Sequence, residues 1–359
     1  MTSHRLHRPI MVLTDFPKAS ESPSVTSSPK VIVSASIAYD HVMSFNGSFR
    51  DHILADKAHT LSVSFLLDSL KHQRGGVAGN MAYSMAMLGV PVALVGAVGS
   101  DFGPYRAVLE KLGVDLSLVP VIEEDLTSTA YMNADMVGNQ IASFYPGAGS
   151  HSKDINVSEL AGRTRYGIIS AGDPVAMIEH AVQIADSGSR LVFDPAQQIV
   201  ILSGDDLVKG IDLAEIVIGS DYEYGMIERK TGLTVDDIAC KVPMTIVTYG
   251  ERGSEIRTGG ESVPIPIASA IKVVDPTGGG DSYRAGLMLG LLLGLDLPAV
   301  GRLAALSATY AIEKHGPQEH FYTQEAFLTR FGESFPDFKH ALTLEDLMAV
   351  AHSDLPIAS

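Results

Sequence analysis

The residues best suited to catalysis form a run of three glycines, Gly278, Gly279 and Gly280, followed at once by Asp281. An apolar stretch that predicts a helix begins directly after them, at Ser282. Glycines permit a turn in which backbone N–H groups converge on one point, and a helix N-terminus adds partial positive charge there. Such a loop suits an anion in transfer, and the Asp281 carboxylate could take a proton from an attacking hydroxyl. A glycine turn that ends in an ordinary helix-capping aspartate explains the same residues equally well.

A second glycine-rich segment contains Gly75, Gly76 and Asn80, and it also leads into a predicted helix. Its glycines would let a ligand approach the backbone closely, and the Asn80 amide can both donate and accept hydrogen bonds. A glycine turn capped by Asn80 is the simpler interpretation when this segment is considered alone. Neither glycine segment therefore establishes a catalytic site by itself.

The elements that must position these segments alternate between strand and helix. Short apolar runs such as Val31–Val33 and Met244–Thr248 predict buried strands, and helical stretches such as Pro174–Asp186 lie between them. This alternation predicts an α/β fold with a mostly parallel central sheet and helices on both faces. Residues 41–72 and 121–145 break the rhythm, because they alternate as strands do and contain no crossover helix. We interpret them as a small second sheet that covers the site as a lid.

Composition restricts the compartment and the partners. Residues 1–29 are rich in Ser and Pro and are predicted to be a disordered tail, so the folded domain spans residues 30–359. The 26 Lys and Arg against 42 Asp and Glu give a net charge of −16, which repels nucleic acids and anionic membranes. Cys240 is the only cysteine, which fits a reducing, cytoplasmic location. No apolar run reaches the roughly 18 residues of a membrane span.

Together, the two glycine segments resemble the two signature regions of the PfkB, or ribokinase-like, family of carbohydrate and nucleoside kinases. Residues 75–89 match the Gly-Gly-x-x-x-Asn signature that leads into a helix ending at Leu-Gly. Residues 275–281 match the Asp-Thr-x-Gly-Ala-Gly-Asp signature or a close variant of it. The resemblance covers about residues 31–330, and it implies a ribokinase-like three-layer sandwich with a small β-sheet lid.

The resemblance also implies the parts that each residue plays in phosphoryl transfer. The backbone amides of Gly278, Gly279 and Gly280 would form the anion hole, and Asp281 would deprotonate the acceptor hydroxyl. Gly279 departs from the commoner alanine, and because the hole consists of backbone amides we expect added flexibility without loss of a donor. The implied cofactors are ATP and Mg²⁺, with a potassium ion near the carbonyls of residues 275–277 as a further implication.

Two further segments match the nucleotide-binding positions of the family. Thr248, Gly250 and Gly253 resemble the turn beside the nucleotide, although as a bare sequence they predict an ordinary hairpin turn. Ser220 and Glu223 occupy the Asn-x-x-Glu motif, whose glutamate helps to organise magnesium and phosphate. Serine replaces the asparagine of that motif, so the resemblance supports a role for Glu223 more strongly than one for Ser220.

Within the family, residues 36–41, 74–80, 141–148 and 194–198 resemble adenosine kinases of the bacterial type, and they supply the substrate-binding candidates Ser36, Asp40, Gly75, Gly76, Asn80, Phe144, Gln197 and Gln198. Tyr131, in the predicted lid, is a further candidate. Asp40 could accept hydrogen bonds from ribose hydroxyls. Phe144 and Tyr131 could stack on a purine, and the two glutamines offer donors and acceptors to its edges. The alternatives are a turn aspartate at Asp40, lid core at Phe144 and solvated loop glutamines.

We therefore expect a kinase of purine salvage that transfers the γ-phosphoryl group of ATP to the 5′-hydroxyl of adenosine, giving AMP. Another nucleoside, or a ribose- or fructose-like sugar, is the alternative acceptor. A non-catalytic ligand sensor with the same fold is the alternative of a different class. The open edges of a lid sheet also favour a homodimer formed through the lid.

Overall fold

The structure, a computed structural model, describes residues 28–52 and 62–352. The predicted tail lies outside these ranges except for its last two residues, and so does part of the predicted lid, residues 53–61. The strands are β1 (Val31–Ser34), β2 (Ala38–Ser44), β3 (Ser69–Gly75), β4 (Val92–Val95), β5 (Val98–Gly99), β6 (Asp115–Leu118), β7 (Val121–Ile122), β8 (Ser128–Ala134), β9 (Gln140–Tyr145), β10 (Tyr166–Ile169), β11 (Arg190–Phe193), β12 (Ile216–Ser220), β13 (Met244–Thr248), β14 (Ser254–Thr258) and β15 (Glu261–Ile265). The helices are α1 (Phe49–His52), α2 (Val77–Met87), α3 (Gly103–Lys111), α4 (Ser158–Ala161), α5 (Pro174–Asp186), α6 (Gly204–Leu213), α7 (Asp221–Thr231), α8 (Val235–Lys241), α9 (Gly279–Leu292), α10 (Leu297–Ile312), α11 (Gln324–Ser334) and α12 (Leu344–His352).

Nine of these strands form one large sheet in the order β15-β14-β13-β12-β11-β10-β1-β4-β6. Every neighbouring pair from β13 to β6 is parallel, and the pairs β13–β14 and β14–β15 are antiparallel. The central strands are short apolar runs because both of their faces are buried, as in β1 and β10, where all residues are buried. The predicted, mostly parallel central sheet is confirmed.

Helices cover both faces of this sheet and give the predicted three layers. On one face α2, α9 and α10 pack together over side chains such as Val33 and Ile168. On the other face α5, α6 and α7 cover the alternate side chains, such as Ile32 and Ile169. Successive residues of a strand point to opposite faces, so each strand contributes to both hydrophobic cores. No helix of the described residues has the length and apolar character to cross a membrane.

A separate four-stranded sheet has the order β3-β2-β8-β9 and corresponds to the predicted lid. Strand β2 pairs antiparallel with β3 and parallel with β8, which in turn pairs antiparallel with β9. Its strands extend beyond the predicted segment 41–72, because β2 begins at Ala38 and β3 continues to Gly75. Strand β9 is exposed along its whole length.

Two helices begin earlier than predicted, and both differences bear on the site. Helix α2 begins at Val77 instead of Asn80, and α9 begins at Gly279 instead of Ser282. In each case the N-cap is a glycine with a positive φ and without a capping side chain. The polar residues predicted as possible caps, Asn80 and Asp281, therefore lie inside the first turn of a helix.

Candidate active site

The carboxyl ends of the parallel strands meet along one edge of the central sheet, as the parallel arrangement requires. Ser36 follows β1, Ser170 follows β10, and Asp194 follows β11. Ser220 and Thr248 end the adjacent strands β12 and β13, where they are paired in register. The sequence places polar side chains at each of these strand ends, so the edge forms a polar floor for a cleft.

The glycine loop ends at the start of α9. Gly278 has a φ of 79°, a left-handed conformation that only glycine adopts without strain, and a Cβ atom at this residue would collide with Pro317. The N–H groups of Gly280 and Asp281 belong to the first helical turn, whose donors find no acceptor within the helix. Since Asp281 is the third residue of α9, the interpretation of this aspartate as an ordinary N-cap is wrong.

Gly279 has a packing role that the sequence did not indicate. A Cβ atom at this residue would lie 2.8 Å from Cγ2 of Ile312, at the end of α10. An alanine here would therefore require Ile312 to move. Glycine therefore replaces the family's alanine at a position where the Ile312 side chain leaves little room for a methyl group. This packing is a reason for the glycine in addition to the flexibility that we expected.

The two glycine segments meet in space through Asn80 and Asp281, which are 201 residues apart. Asn80 lies one turn into α2, and its Nδ2 donates a hydrogen bond of 2.8 Å to Oδ2 of Asp281. Gly76 gives the chain a φ of 78° before α2, where a Cβ atom would press on the backbone of Ala38. The interpretation of Asn80 as a helix cap is wrong, because its amide binds the aspartate.

The segment of residues 315–320 holds the Asn80 side chain in the orientation that contacts Asp281. The sequence did not predict this role. Gln318 Nε2 donates 2.9 Å to Oδ1 of Asn80 and also donates to the hydroxyl of Tyr105. Because Gln318 donates to the Asn80 oxygen, the amide nitrogen of Asn80 is left facing Asp281. The backbone N–H of Gly316 donates 3.0 Å to Oδ2 of Asp275, which joins the same segment to the start of the glycine loop.

The electrostatic environment favours a base at Asp281. Burial raises the pKa of Asp281 to about 6, since desolvation destabilises its charged form. The Arg284 guanidinium and the Asn80 hydrogen bond act in the opposite direction and lower this pKa. A carboxyl group with this pKa is a stronger base than an ordinary aspartate and is still mostly ionised at neutral pH.

Arg284 forms a buried ion pair with Asp194, and this pair too was missed from the sequence. Arg284 Nη2 donates to Oδ1 of Asp194, whose Oδ2 accepts 2.6 Å from the Ser170 hydroxyl. Arg284 Nη1 donates 2.8 Å to the carbonyl oxygen of Gly280. The Asp194 carboxylate holds the pKa of Arg284 above its ordinary value, so the guanidinium is charged although it is only 7% exposed.

Asp40 lies within β2, in the lid sheet, and not at a turn after the first strand. Its carboxylate contacts residue 75, where a Cβ atom would collide with Oδ2, so glycine is required beside it. Burial raises the pKa of Asp40 to about 6, with the charge of Asp275 adding to the effect. A desolvated carboxylate is well suited to accept hydrogen bonds from ligand hydroxyls.

A cavity of about 390 Å³ lies between the lid and the ends of β1 and β10. Its lining includes Ser36, Phe144, Gln197 and Gln198, so the structure brings four of the predicted substrate residues together. Ser36 also has a structural role, because its hydroxyl accepts a hydrogen bond from the Val77 N–H at the start of α2. Gln198 donates to the carbonyl of a lining residue, Gly172, which leaves its side-chain oxygen and a second N–H for other partners.

This geometry agrees with what the chain is similar to. Residues 38–324 match the pfkB family of carbohydrate kinases. The chain belongs to that family. It is therefore a phosphotransferase that acts on a hydroxyl group.

Individual relatives refine the comparison. A nucleoside kinase from Methanocaldococcus jannaschii is 32% identical over 272 residues, which are 75% of this chain and 89% of that protein. The structure of a Burkholderia thailandensis nucleoside kinase in complex with inosine superposes with a TM-score of 0.76 at 34% identity, covering 85% of this chain and 98% of that one. An Arabidopsis thaliana ribokinase with ribose and ATP has a TM-score of 0.69 at 18% identity, covering 85% and 99%, and shows the fold alone.

The kinase does not bring Tyr131 to the cavity, contrary to our expectation. In the lid, Asp40, Ala130 and Phe144 form one row of paired residues, and Tyr131 belongs to the next row. Neighbouring rows face opposite sides of a sheet, so Tyr131 points away from the cavity that Phe144 lines. Its ring stacks on His41 of β2 at 4.9 Å instead.

The nucleotide-side candidates lie at the same sheet edge, where each also has a local structural role. Ser220 and Glu223 form a capping box at the start of α7, in which Glu223 Oε2 accepts 2.6 Å from the Ser220 N–H. Gly250 and Gly253 have φ values of 60° and 90° in the turn between β13 and β14. That turn is the hairpin that the bare sequence predicts, and contact of Thr248, Gly250 and Gly253 with a nucleotide stays a prediction.

Proposed function

We propose that this PfkB kinase transfers the γ-phosphoryl group of ATP to the 5′-hydroxyl of a nucleoside, with adenosine as the predicted acceptor and AMP and ADP as products. The observation that carries the proposal is the arrangement of Asp281 at the glycine loop, the lid carboxylate of Asp40 whose charge acts on it, and the cavity that Ser36 lines next to the start of α2. These features supply, in order, a base, a hydroxyl-binding carboxylate and room for a nucleobase.

The chemical step follows from the loop geometry. Asp281 takes the proton of the 5′-hydroxyl as that oxygen attacks the γ-phosphorus, and the bond from the γ-phosphorus to the bridging oxygen breaks to release ADP. The N–H groups of the first turn of α9 then stabilise the negative charge of the transferring group. Phosphoryl transfer depends mainly on positioning and on such electrostatic stabilisation. Closure of the lid over the cavity would exclude water, which limits wasteful hydrolysis of ATP.

The cavity supports a nucleoside in preference to a plain sugar. We propose that Asp40 and Asn80 bind the ribose and that its base enters the cavity lined by Phe144, Gln197 and Gln198, a cavity that a free sugar would leave unfilled. An aromatic side chain can stack on a purine, and glutamine amides can pair with its edge. The similarity to two proteins described as nucleoside kinases supports the same acceptor class.

Inosine is the second candidate, because the similar Burkholderia enzyme was solved with it. Adenosine and inosine differ at position 6 of the purine, where an amino donor is replaced by a carbonyl acceptor. Gln198 keeps its side-chain oxygen and a second N–H, so it can pair with either purine. The choice of adenosine rests on the resemblance of residues 36–41, 74–80, 141–148 and 194–198 to bacterial adenosine kinases.

The residues present fit ATP with Mg²⁺. The first turn of α9 offers unpaired donors for phosphate oxygens, and Glu223 Oε1 is left free by the capping box for a hydrated magnesium ion. Magnesium would neutralise charge on the phosphates during transfer. A potassium ion near residues 275–277 stays a proposal from the family resemblance.

A panel of acceptors tests the proposed function. Purified protein with Mg-ATP is assayed for ADP release with adenosine, inosine, other nucleosides, ribose and fructose. We expect adenosine to have the highest kcat/KM, and Asp281→Asn to abolish turnover while nucleoside binding is retained. Turnover of ribose or fructose above every nucleoside would refute the nucleoside proposal, and no turnover of any acceptor despite tight nucleoside binding would favour the ligand sensor.

Two further proposals concern the protein's surroundings. We propose a cytoplasmic location in purine salvage, which fits the single cysteine. We also propose a homodimer formed through the lid, supported by the exposed edge strand β9 and its exposed Ile141 and Phe144. Sedimentation that shows only monomer at micromolar protein would refute the dimer.

A further inference from the structure

Arg284 is a buried cation directly behind the phosphoryl-transfer loop. It lies one helical turn after Gly280 and Asp281, on the first part of α9, and is 7% exposed. Its two terminal nitrogens donate in different directions, Nη1 to the Gly280 carbonyl at 2.8 Å and Nη2 to Asp194. Nothing in the proposed proton transfer requires a cation at this position.

The Gly280 carbonyl belongs to the same peptide group as the N–H of Asp281. That N–H is one of the first-turn donors that would face the transferring phosphoryl group. A hydrogen bond from a charged donor to the carbonyl increases the dipole of the whole peptide, because bonds in a chain polarise one another. The Arg284 charge is therefore transmitted through one peptide group to the anion site.

The glycine at residue 280 is what permits this contact. A Cβ atom there would lie 3.0 Å from Nη1 of Arg284, tighter than an ordinary van der Waals contact. The guanidinium would then have to move away from the loop. Gly280 thus has a spatial reason to be glycine, in addition to the turn that it helps to form.

The charged groups that act on Asp281 come from α9, from β2 and from the end of β11. Asp40 on β2 and Asp194 after β11 act on it as like charges, and Arg284 is the cation that opposes them. Glu223 on α7 acts on Arg284 and Asp194. Arg284 is therefore the buried positive charge that acts on both the Asp281 carboxylate and the anion site.

We propose that Arg284 is a positioning residue for phosphoryl transfer, which strengthens the Asp281 N–H as an anion donor and holds a positive charge near the Asp281 carboxylate. Asp194 and Ser170 hold the guanidinium in place for this purpose. The proposal rests on Asp281 as the base, which is part of the proposed function, and it is independent of which acceptor is used.

The test must separate this role from that of an ordinary buried ion pair. Replacing Arg284 alone would leave the Asp194 carboxylate buried and unpaired, which destabilises a fold strongly. The double variant Asp194→Asn/Arg284→Met removes both charges and keeps an acceptor for Ser170. The control is Glu313→Gln/Arg330→Met, which removes another largely buried pair, 12% and 15% exposed, whose backbone partners are Ile271 and Ser269 instead of Gly280.

Single-turnover rates of phosphoryl transfer are measured against pH at saturating acceptor and Mg-ATP. We expect the Asp194→Asn/Arg284→Met rate to fall about tenfold or more, with the KM of the acceptor little changed, because the loss is confined to the transition state. The acid limb of the profile should also move to higher pH. Arg284→Lys, which keeps the charge, should restore the limb towards the wild-type position.

Two outcomes would overturn the inference. In the first, the double variant and the control both keep the wild-type rate and acid limb, and Arg284 is then a structural ion pair only. In the second, both variants lose rate equally without a shift of the limb, and the loss is then one of general stability. The Asp281→Asn variant distinguishes these from failure of the proposed function, since its turnover would persist only if Asp281 were not the base.

Discussion

The hydrogen bond from Asn80 to Asp281 provides the sharpest test of how the base is maintained. Asn80→Ala removes the 2.8 Å bond from Nδ2 to Oδ2 and leaves the carboxylate in its desolvated surroundings. Burial already raises the pKa of Asp281 to about 6, and Asn80 is one of the two groups that lower it. Without Asn80 the pKa must therefore rise further.

The size of the effect follows from the charge of the acceptor. A hydrogen bond to a charged group contributes about 1.5–3 kcal/mol. Because one pKa unit corresponds to about 1.4 kcal/mol, its loss should raise the pKa of Asp281 by roughly one to two units. The protonated form is inactive as a base, so the acid limb of the rate profile should move from near 6 to about 7–8.

The assay is the pH dependence of the single-turnover rate at saturating nucleoside and Mg-ATP, where binding no longer contributes. Ser84→Ala is the matched control. Ser84 lies one turn further along α2 and bonds the hydroxyl of Ser282 at 2.8 Å, next to the base but without touching it. This control removes a buried hydrogen bond at the same helix interface, and its acid limb should stay at the wild-type pH.

An Asn80→Ala profile that coincides with the profiles of wild type and Ser84→Ala would refute the tuning role of Asn80. Equal shifts in both variants would show that the interface as a whole is disturbed, which also contradicts the specific contact. A limb that moves to lower pH would show that the sign of the electrostatic argument is wrong.

Three other predictions follow from the lid. Gly75→Ala should raise the KM of the nucleoside about tenfold or more, because the new methyl group displaces the Asp40 carboxylate. The control Gly103→Ala should leave this KM unchanged, because a Cβ atom at Gly103 has no neighbouring atom within 4 Å. Equal KM values for the two variants would contradict the prediction. Phe144→Ala should raise the KM of the nucleoside and leave that of ATP unchanged, while Tyr131→Ala, on the opposite face, should change neither; equal effects would place both side chains in one pocket. Asp40→Asn should raise the melting temperature at neutral pH, since burial raises the folded-state pKa to about 6 and ionisation above it destabilises the fold. The gain should shrink as the pH falls from about 6 towards the ordinary value of 3.8, and calorimetry showing the same gain at every pH would refute it.

Most of the central sheet could be predicted because its strands are buried on both faces and appear in the sequence as short apolar runs. The bounds of β13 and α5 agree with the predicted ones. The antiparallel edge, β14 and β15, was not predicted. Its strands alternate polar and apolar residues and are partly exposed, so they resemble loop sequence.

Site residues that belong to a sequence motif could be predicted. Site residues whose role depends on a partner far away in the sequence could not. Asp281 and Asn80 each belong to a glycine segment, and their meeting follows from the family resemblance. Arg284 and Gln318 carry no such pattern, because their partners Asp194 and Asn80 are 90 and 238 residues away. The orientation of Tyr131 depends on strand register, and a shift of one residue reverses it.

The division of the core between two faces has a consequence for how the chain is made. The helices that cover one face, α5 to α8, end by Lys241, before strands β14 and β15 are complete. The opposite face depends on α9 and α10, which follow Ile265 and also carry the base. Since a ribosome delivers the N-terminal part first, a growing chain presents a nearly complete sheet whose second face is covered only in part, by α2. We expect the chain to depend most on chaperones at this stage of synthesis. The helices α9 and α10 then cover the remaining apolar surface and complete the active site in the same step.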